Sequence, residues 1–240
     1  CRNYREKRNS NDGYYIHWEM RGLTIVLLLF LTSSCFSQNN DYMLWLRAGA
    51  KGEVIKNLSW NGELNGRIGS YGLETFFPQA GLEYKVKKWF RPSIEYRFLI
   101  DRNKYGNYKA SSRINFNANF KKSLNDFDFG LRLRYQYAFN SLSTQSYNSD
   151  FDKAFRLKGQ IGYKIDGTVF TPGISGEMFY DPQYGPTTPG FTKLRMAIGT
   201  KINLKGPNSL SVKYQFDKKF RNYSDGLRHV LSVAYAYKFK

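Results

Sequence analysis

Apolar and polar residues alternate along most of the chain, and the clearest stretch is Phe127–Phe139. The apolar members of this stretch occupy every second position: Phe127, Phe129, Leu131, Leu133, Tyr135, Tyr137 and Phe139. Charged, polar or small residues fill the positions between them. Because successive side chains of a strand point to opposite faces, this period of two predicts a strand with one apolar and one polar face.

The same alternation returns repeatedly along the sequence. Clear versions occupy residues 93–101, 113–121, 155–165, 194–204, 210–217 and 231–239, and weaker versions occupy 42–52, 58–68, 73–86 and 168–180. These predicted strands run about 10–14 residues, whereas globular strands usually run about 5–6 and a tilted bilayer-spanning strand needs about 9–11. Short turns such as Asp166-Gly167 alternate with longer polar loops such as 140–153, which is typical of outer-membrane barrels.

The pattern therefore predicts an all-β protein, a transmembrane antiparallel up-and-down β-barrel. Eleven alternating stretches are visible, but bacterial single-chain barrels have an even number of strands. We therefore expect 10 or 12 strands, with one N-terminal stretch that does not span or one strand that escapes the pattern. A soluble antiparallel sandwich also alternates. Strand length, the alternation of turns and loops, and an export signal favour the barrel instead.

The end of the chain has the same character. Leu231, Val233, Tyr235, Tyr237 and Phe239 share one face of the last predicted strand. An amphipathic last strand with a near-terminal Phe resembles the C-terminal recognition strand of outer-membrane barrels, which implies the barrel-assembly machinery as a partner. Lys240, which follows the Phe, departs from that pattern.

The N-terminal region carries an apolar run, Leu23 to Leu31, that is too short for a transmembrane helix, which needs about 20 residues. It fits the apolar region of a cleaved secretory signal, with Arg21 before it and small residues leading to Cys35-Phe36-Ser37. We interpret residues 1–19 as a mis-called upstream extension, 20–37 as a signal peptide and 38–240 as the barrel. The predicted location is the cell outer membrane. A lipoprotein-like reading, in which Cys35 is acylated, stays open.

Cleavage before Gln38 would remove residues that support covalent catalysis or metal binding. Both cysteines and His17 are lost, which leaves His229 as the one histidine of residues 38–240. A disulfide framework, a thiol nucleophile and a cysteine- or histidine-rich metal site are therefore excluded. We expect no cofactor.

The formal net charge of +18 and the aromatic content of 18% invite a nucleic-acid interpretation. The aromatic residues, however, lie on long continuous faces, as contact with lipid requires, so we expect no nucleic acid as a partner. Outer-membrane lipids and anionic lipopolysaccharide are the expected partners. The basic residues near the predicted outer rim are Lys218, Lys219, Arg221 and Arg228.

One stretch supports a family resemblance. Phe76-Phe-Pro-Gln-Ala-Gly-Leu-Glu-Tyr84, followed by Trp89 and by Tyr96-Arg-Phe-Leu-Ile-Asp-Arg102, resembles a group of exported Gram-negative barrels catalogued as a domain of unknown function. The resemblance covers most of residues 38–240. It implies an outer-membrane barrel and brings no catalytic residue and no substrate.

Catalysis has few candidate groups. Acyl hydrolysis needs a nucleophile, a base and an orienting group, and the base would be His229, with Ser224 and Asp225 in the adjoining loop. By parity with Leu231, His229 points to lipid or to the rim. Asp150 and Asp152 are a weak candidate pair for a protease. We expect no enzyme, and an outer-membrane lipid-modifying hydrolase using His229 is the alternative.

The polar face of the predicted strands is rich in cations. The candidate lumen-lining residues, with a possible role in ion selectivity, are Arg97, Arg113, Arg132, Arg134, Arg156, Lys158, Arg195 and Lys201. Acidic residues on that face are fewer. Opposite charges across strands form ion pairs and can fill a narrow interior, whereas a water-filled pore with surplus cations favours anions. The sequence leaves both open and predicts a porin-like or structural envelope protein of unknown solute.

Overall fold

The computed structural model describes residues 40–103, 105–139, 153–182, 190–220 and 227–239. The predicted upstream extension, the signal peptide and Cys35 lie outside these residues, and so do Asp150, Asp152, Arg221, Ser224 and Asp225. All described residues belong to one compact unit, Asn39–Lys240. No helix in the described ranges is long and apolar enough to cross a membrane.

The described chain forms eleven strands, each long and each joined to the next along the sequence. They are β1 (Asn40–Ile55), β2 (Leu58–Gly69), β3 (Gly72–Tyr84), β4 (Phe90–Arg102), β5 (Tyr108–Leu124), β6 (Phe127–Phe139), β7 (Lys153–Tyr163), β8 (Phe170–Tyr180), β9 (Phe191–Asn203), β10 (Asn208–Lys219) and β11 (Leu227–Lys238). The all-β, up-and-down barrel that the alternation predicts is confirmed.

The strand count is eleven, between the ten and twelve expected. Every consecutive pair is antiparallel, and β1 closes the barrel by pairing with β11 in parallel, with Leu44 opposite Leu231. Strand direction alternates along the chain, so an odd number leaves the first and last strands pointing the same way. A parallel ladder can hydrogen-bond as regularly as an antiparallel one, and an even count is therefore not required for closure.

The connections fall at two rims. The short-turn rim is formed by the connections at residues 56–57, 85–89, 125–126, 164–169 and 204–207. The long-loop rim is the opposite end of the strands, where the described connection at 70–71 lies together with the ends of β4 to β11 at Arg102, Tyr108, Phe139, Lys153, Tyr180, Phe191, Lys219 and Leu227. The tight turns at Asn57 and Asn125 use a positive φ, of 69° and 49°, which Asn tolerates better than most residues. The link at 70–71 is the one two-residue connection on the long-loop rim.

The distribution of apolar side chains is the reverse of that in a soluble domain. Among the described residues, forty-two large hydrophobic side chains are exposed and seven hydrophobic residues are buried, whereas fourteen polar or charged residues are buried. Leu131 is 44% exposed on the outward face, while its neighbour Arg132 lines the interior. The apolar face of each strand therefore points away from the barrel and the polar face points inward.

A row of glycines marks the interior wall near the short-turn rim. Gly162 is opposite Gly173, and Gly173 is opposite Gly199, so three neighbouring strands carry no side chain there. A Cβ on Gly199 would lie 2.3 Å from the carbonyl oxygen of Val212, and one on Gly173 would lie 2.6 Å from that of Ile161. Glycine thus allows the backbones to approach closely, which a tightly curved small barrel requires.

Candidate functional site

The interior holds a cavity of about 520 Å³ whose lining is strongly cationic. Fourteen of its lining residues are Lys or Arg, and five are Asp or Glu. The lining comes from all eleven strands. Because the strands alternate inward and outward side chains, the same periodicity that makes the outer face apolar concentrates the basic residues inside.

Glu177 of β8 is the centre of the strongest ion-pair network. Its Oε1 accepts hydrogen bonds from Arg132 Nη2 at 2.8 Å and from Arg156 Nε at 3.0 Å. Arg195 Nη1 lies 3.8 Å from its Oε2. The Glu177 side chain is only 3% exposed, so three cations surround one buried carboxylate and leave this region with a positive charge.

Two further acids neutralise part of the lining. Asp217 binds Arg195 through both carboxylate oxygens, and Glu95 accepts a hydrogen bond from Arg134 Nη2 at 2.7 Å. Arg134 Nε also donates to Asn117 Oδ1 at 2.5 Å. A buried charge is tolerated when it is paired and hydrogen-bonded, and these contacts supply both conditions.

Aromatic rings and guanidinium groups stack into a ladder inside the barrel, which we call the cation–aromatic ladder. The centre of the Arg97 guanidinium lies 4.3 Å from the Phe77 ring centroid, and that of Arg67 lies 5.0 Å from the same centroid. The contacts continue from Arg67 to Trp45 at 4.3 Å, from Arg195 to Trp45 at 4.9 Å and to Phe179 at 5.4 Å, and from Arg156 to Phe179 at 4.4 Å.

The ladder joins side chains of seven strands and packs the interior. Phe77 is 3% exposed and Phe179 is 4% exposed, although both lie on the polar face of their strands. Guanidinium groups stack favourably on aromatic faces, which allows an apolar ring to sit among cations. The ladder narrows the interior at this level.

Several cations of the lining form no close ion pair with a described acid. Within the part of the chain that the structure describes, no carboxylate lies within 4.0 Å of Arg67, Arg97, Arg113, Lys158 or Lys193. Arg97 is held instead by Gln79, whose Oε1 accepts hydrogen bonds from its Nε at 2.8 Å and its Nη2 at 2.5 Å. The interior is therefore neither fully neutralised nor empty.

Of the eight candidate lumen residues, seven line the cavity. They are Arg97, Arg113, Arg132, Arg134, Arg156, Lys158 and Arg195. Lys201 has the same inward parity but is exposed near the short-turn rim, outside the cavity lining. The role of these residues in ion selectivity stays a prediction.

Sequence reasoning missed the aromatic members of the ladder and Glu177. Trp45, Phe77 and Phe179 occupy inward positions, whereas an apolar residue in an alternating strand is expected to face outward. Glu177 lies in one of the weaker stretches, and the alternation of Ile174, Gly176 and Met178 around it was a signal that places it inside.

Two of the four basic residues predicted to lie at the outer rim lie inside the barrel instead. Lys219 and Arg228 line the interior cavity, and Arg228 Nε donates to Asp41 Oδ2 at 2.6 Å. Lys218 has outward parity. Of the four basic residues expected to meet lipopolysaccharide, two therefore turn inward, because their strands carry them on the polar face.

His229 lies on the outward face among aromatic rings. It stacks on Tyr42 with ring centroids 5.1 Å apart, and its Nδ1 is 2.5 Å from the Tyr214 hydroxyl. Phe216 packs edge-on at 5.7 Å. No serine, cysteine or carboxylate is among these contacts of His229 in the described chain. The described residues also contain no cluster of three or more His, Cys, Asp or Glu suited to a metal ion.

The fold and the lining define a class: a closed all-β barrel with an apolar outer face and a charged interior. The chain matches the model of a protein family of unknown function, DUF2490, over residues 43–227. It belongs to that family. The match covers almost the whole barrel and agrees with the resemblance noted in the sequence. No curated protein matches the chain.

Proposed function

We propose that this protein is an outer-membrane barrel that forms a narrow, anion-preferring pore. The single observation that carries the proposal is the cavity lined by fourteen basic and five acidic residues. In a confined space of low dielectric constant, surplus fixed cations attract anions and repel cations. The short-turn rim would face the periplasm and the long-loop rim the cell exterior, as in other outer-membrane barrels.

The outer surface supports a membrane location. Contiguous exposed apolar area on this scale marks contact with lipid or protein. Aromatic pairs cluster towards both rims, as Trp89 with Phe120 and Phe127 with Tyr163 do on one side and Tyr42 with His229 on the other. Aromatic girdles at the two interfaces are characteristic of transmembrane barrels.

The proposed pore is narrow because the cation–aromatic ladder occupies part of the interior. The buried rings of Phe77 and Phe179 leave no room for a wide channel at that level. We therefore expect small conductance and passage of small anions rather than of large solutes. Lipids and lipopolysaccharide are the partners of the outer face in this proposal, and the last strand engages the assembly machinery.

We propose no catalytic role. The environment of His229 supports this, because its contacts among the described residues are Tyr42, Tyr214 and Phe216 on the outward face. An aromatic belt at a membrane interface accounts for such a histidine. A His229→Ala variant should therefore permeate ions as the wild type does.

Ion flux from protein-containing liposomes tests the pore. The variant Lys158→Glu with Lys213→Glu reverses two inward charges that form no ion pair among the described residues. The matched control, Lys85→Glu with Lys88→Glu, reverses two exposed charges at the short-turn rim. The preference for chloride over potassium should fall strongly in the first variant and little in the control. Equal loss in both, or flux without any preference in the wild type, would contradict the proposal.

A further inference from the structure

Three arginines gather on one side of the interior, and none of them has a described carboxylate within 4.0 Å. Two acids of the same cavity, Asp101 and Glu95, attract Arg67 and Arg97 from farther away. Arg97 of β4 is directly opposite Arg113 of β5 in the backbone register of the two antiparallel strands. Arg67 and Arg97 contact the same Phe77 ring, and the charges of all three arginines repel one another. Like charges directly opposite each other destabilise a sheet. Glu95 is already paired with Arg134, so the three arginines keep an excess of positive charge that a further negative group among them would offset.

The same region has buried hydrogen-bond donors without acceptors. Arg113 Nε, Trp45 Nε1 and Asn65 Nδ2 are buried and make no hydrogen bond in the described structure. Trp45 is paired in register with Arg67, and Asn65 with Phe77, so these two donors lie beside Arg67 and the Phe77 ring in the sheet. A buried donor without a partner costs about 1–3 kcal/mol. Asn115 Oδ1, two residues along β5 from Arg113, is a buried acceptor without a partner, so three unpaired donors stand against this one amide oxygen.

The surplus of donors and of charge points to one kind of ligand. A phosphate group offers several acceptor oxygens and carries a charge of about −1.5 to −2 near neutral pH. Arginine binds such groups through two parallel N–H donors, with geometry that lysine lacks. A single carboxylate offers fewer acceptors and one charge for three guanidinium groups.

We infer that Arg67, Arg97 and Arg113 form a binding site for a phosphate group inside the barrel, with Trp45 Nε1 and Asn65 Nδ2 as neutral donors. The Phe77 ring holds two of the guanidinium groups in place, and Gln79 fixes Arg97 through its side-chain oxygen. The ligand is inorganic phosphate or the phosphate group of a small organic molecule. The site deepens the proposed anion preference and rests on it, since the ligand must enter the interior.

Binding is measured on the refolded full barrel in a non-ionic detergent, by titration calorimetry with inorganic phosphate. The test variants are Arg97→Gln and Arg113→Gln. The matched control is Lys158→Gln, which removes one unpaired charge from the same cavity but on β7. We expect saturable binding of about one phosphate by the wild type, and a loss of affinity of about tenfold in each arginine variant, because each removes charge-assisted hydrogen bonds. The lysine variant should change it less than about threefold, since its contribution is only long-range.

Three outcomes overturn the inference: no saturable binding by the wild type, equal losses in all three variants, or unchanged affinity in the arginine variants. Resistance of the barrel to unfolding by heat in sodium dodecyl sulfate shows that each variant is folded before it is titrated. A comparison of inorganic phosphate with glycerol phosphate distinguishes the two sources of the group.

Failure of the site and failure of the pore give different results. Anion-preferring flux without phosphate binding would refute the site and leave the pore. Saturable phosphate binding in detergent without any ion flux would refute the pore and leave a binding barrel.

Discussion

Arg195 and Asp217 face each other across β9 and β10 and form a two-point ion pair inside the barrel. Arg195 Nε donates to Asp217 Oδ1 at 2.8 Å and Nη2 donates to Oδ2 at 2.7 Å. The Asp217 side chain is 3% exposed. The two residues are also aligned in the register of the sheet, so the pair joins neighbouring strands through both backbone and side chains.

Replacing Asp217 with Asn should destabilise the barrel. The change leaves Arg195 with Glu177 as its only acidic partner among the described residues, at 3.8 Å. Loss of one partner of a buried pair typically costs about 3–5 kcal/mol. The free energy of unfolding, measured by urea titration in lipid vesicles, should fall by that amount.

The control for this change is Asp128→Asn. Asp128 pairs with Lys164 at 3.0 Å near the short-turn rim, and both side chains are at least 40% exposed. An exposed pair contributes about 0–1 kcal/mol. If the free energy of unfolding falls as much for Asp128→Asn as for Asp217→Asn, burial of the Arg195–Asp217 pair does not increase its contribution to stability.

Replacing Phe179 with Ala should widen the proposed pore. The ring is buried between the guanidinium groups of Arg156 and Arg195, so its removal opens a gap in the cation–aromatic ladder. Single-channel conductance should rise, and the free energy of unfolding should fall by about 3–5 kcal/mol. Phe116→Ala, on the outward face, should leave conductance unchanged. A Phe179 variant with wild-type conductance would mean that the ladder does not limit flow.

Adding a methyl group at Gly199 should impair folding. A Cβ there meets the backbone of β10, at 2.3 Å from Val212 O and 2.6 Å from Lys213 Cα, so the strands must separate. The Gly199→Ala variant should give a markedly lower refolded yield on cold sodium dodecyl sulfate gels. Gly159→Ala is the matched control, because nothing lies within 4 Å of a Cβ at that outward glycine. Similar yields from the two variants would contradict the close approach of β9 and β10.

Much of the fold follows from local periodicity. The alternation in Phe127–Phe139 places each side chain inside or outside without any knowledge of the partner strands, because the period of a strand is fixed at two. All eleven stretches of alternation correspond to strands. The expected strand count of ten or twelve was wrong because it came from the even count of known barrels, whereas the sequence itself shows eleven alternating stretches.

The ion pairs and stacking contacts of the interior could not be predicted from the sequence. Alternation predicts which face holds Arg97 or Arg156, but the partner of each depends on register, which turns and long loops determine together. Glu177 meets arginines from β6, β7 and β9, and no local pattern indicates that meeting. The inward Phe77 is buried because guanidinium groups cover it, which is a tertiary effect that hydropathy cannot show.

The parallel closure of β1 on β11 predicts a specific cross-link. Residues 38–240 contain no cysteine, so Leu44→Cys with Leu231→Cys introduces two thiols that are opposite each other in register. Oxidation should yield an intramolecular disulfide, seen as a shift in gel mobility that reductant reverses. The pair Leu44→Cys with Tyr235→Cys is four residues out of register, about 13 Å away, and should not cross-link. Efficient cross-linking of the second pair alone would rule out this seam.

The central claim, a narrow pore that prefers anions, is tested most directly by single-channel recording of the refolded protein in a planar bilayer with a salt gradient. Small discrete current steps whose reversal potential lies towards that of chloride are the expected result, because the lining holds fourteen basic and five acidic residues. A barrel that inserts but carries no current, or one whose reversal potential lies towards that of potassium, would contradict the account.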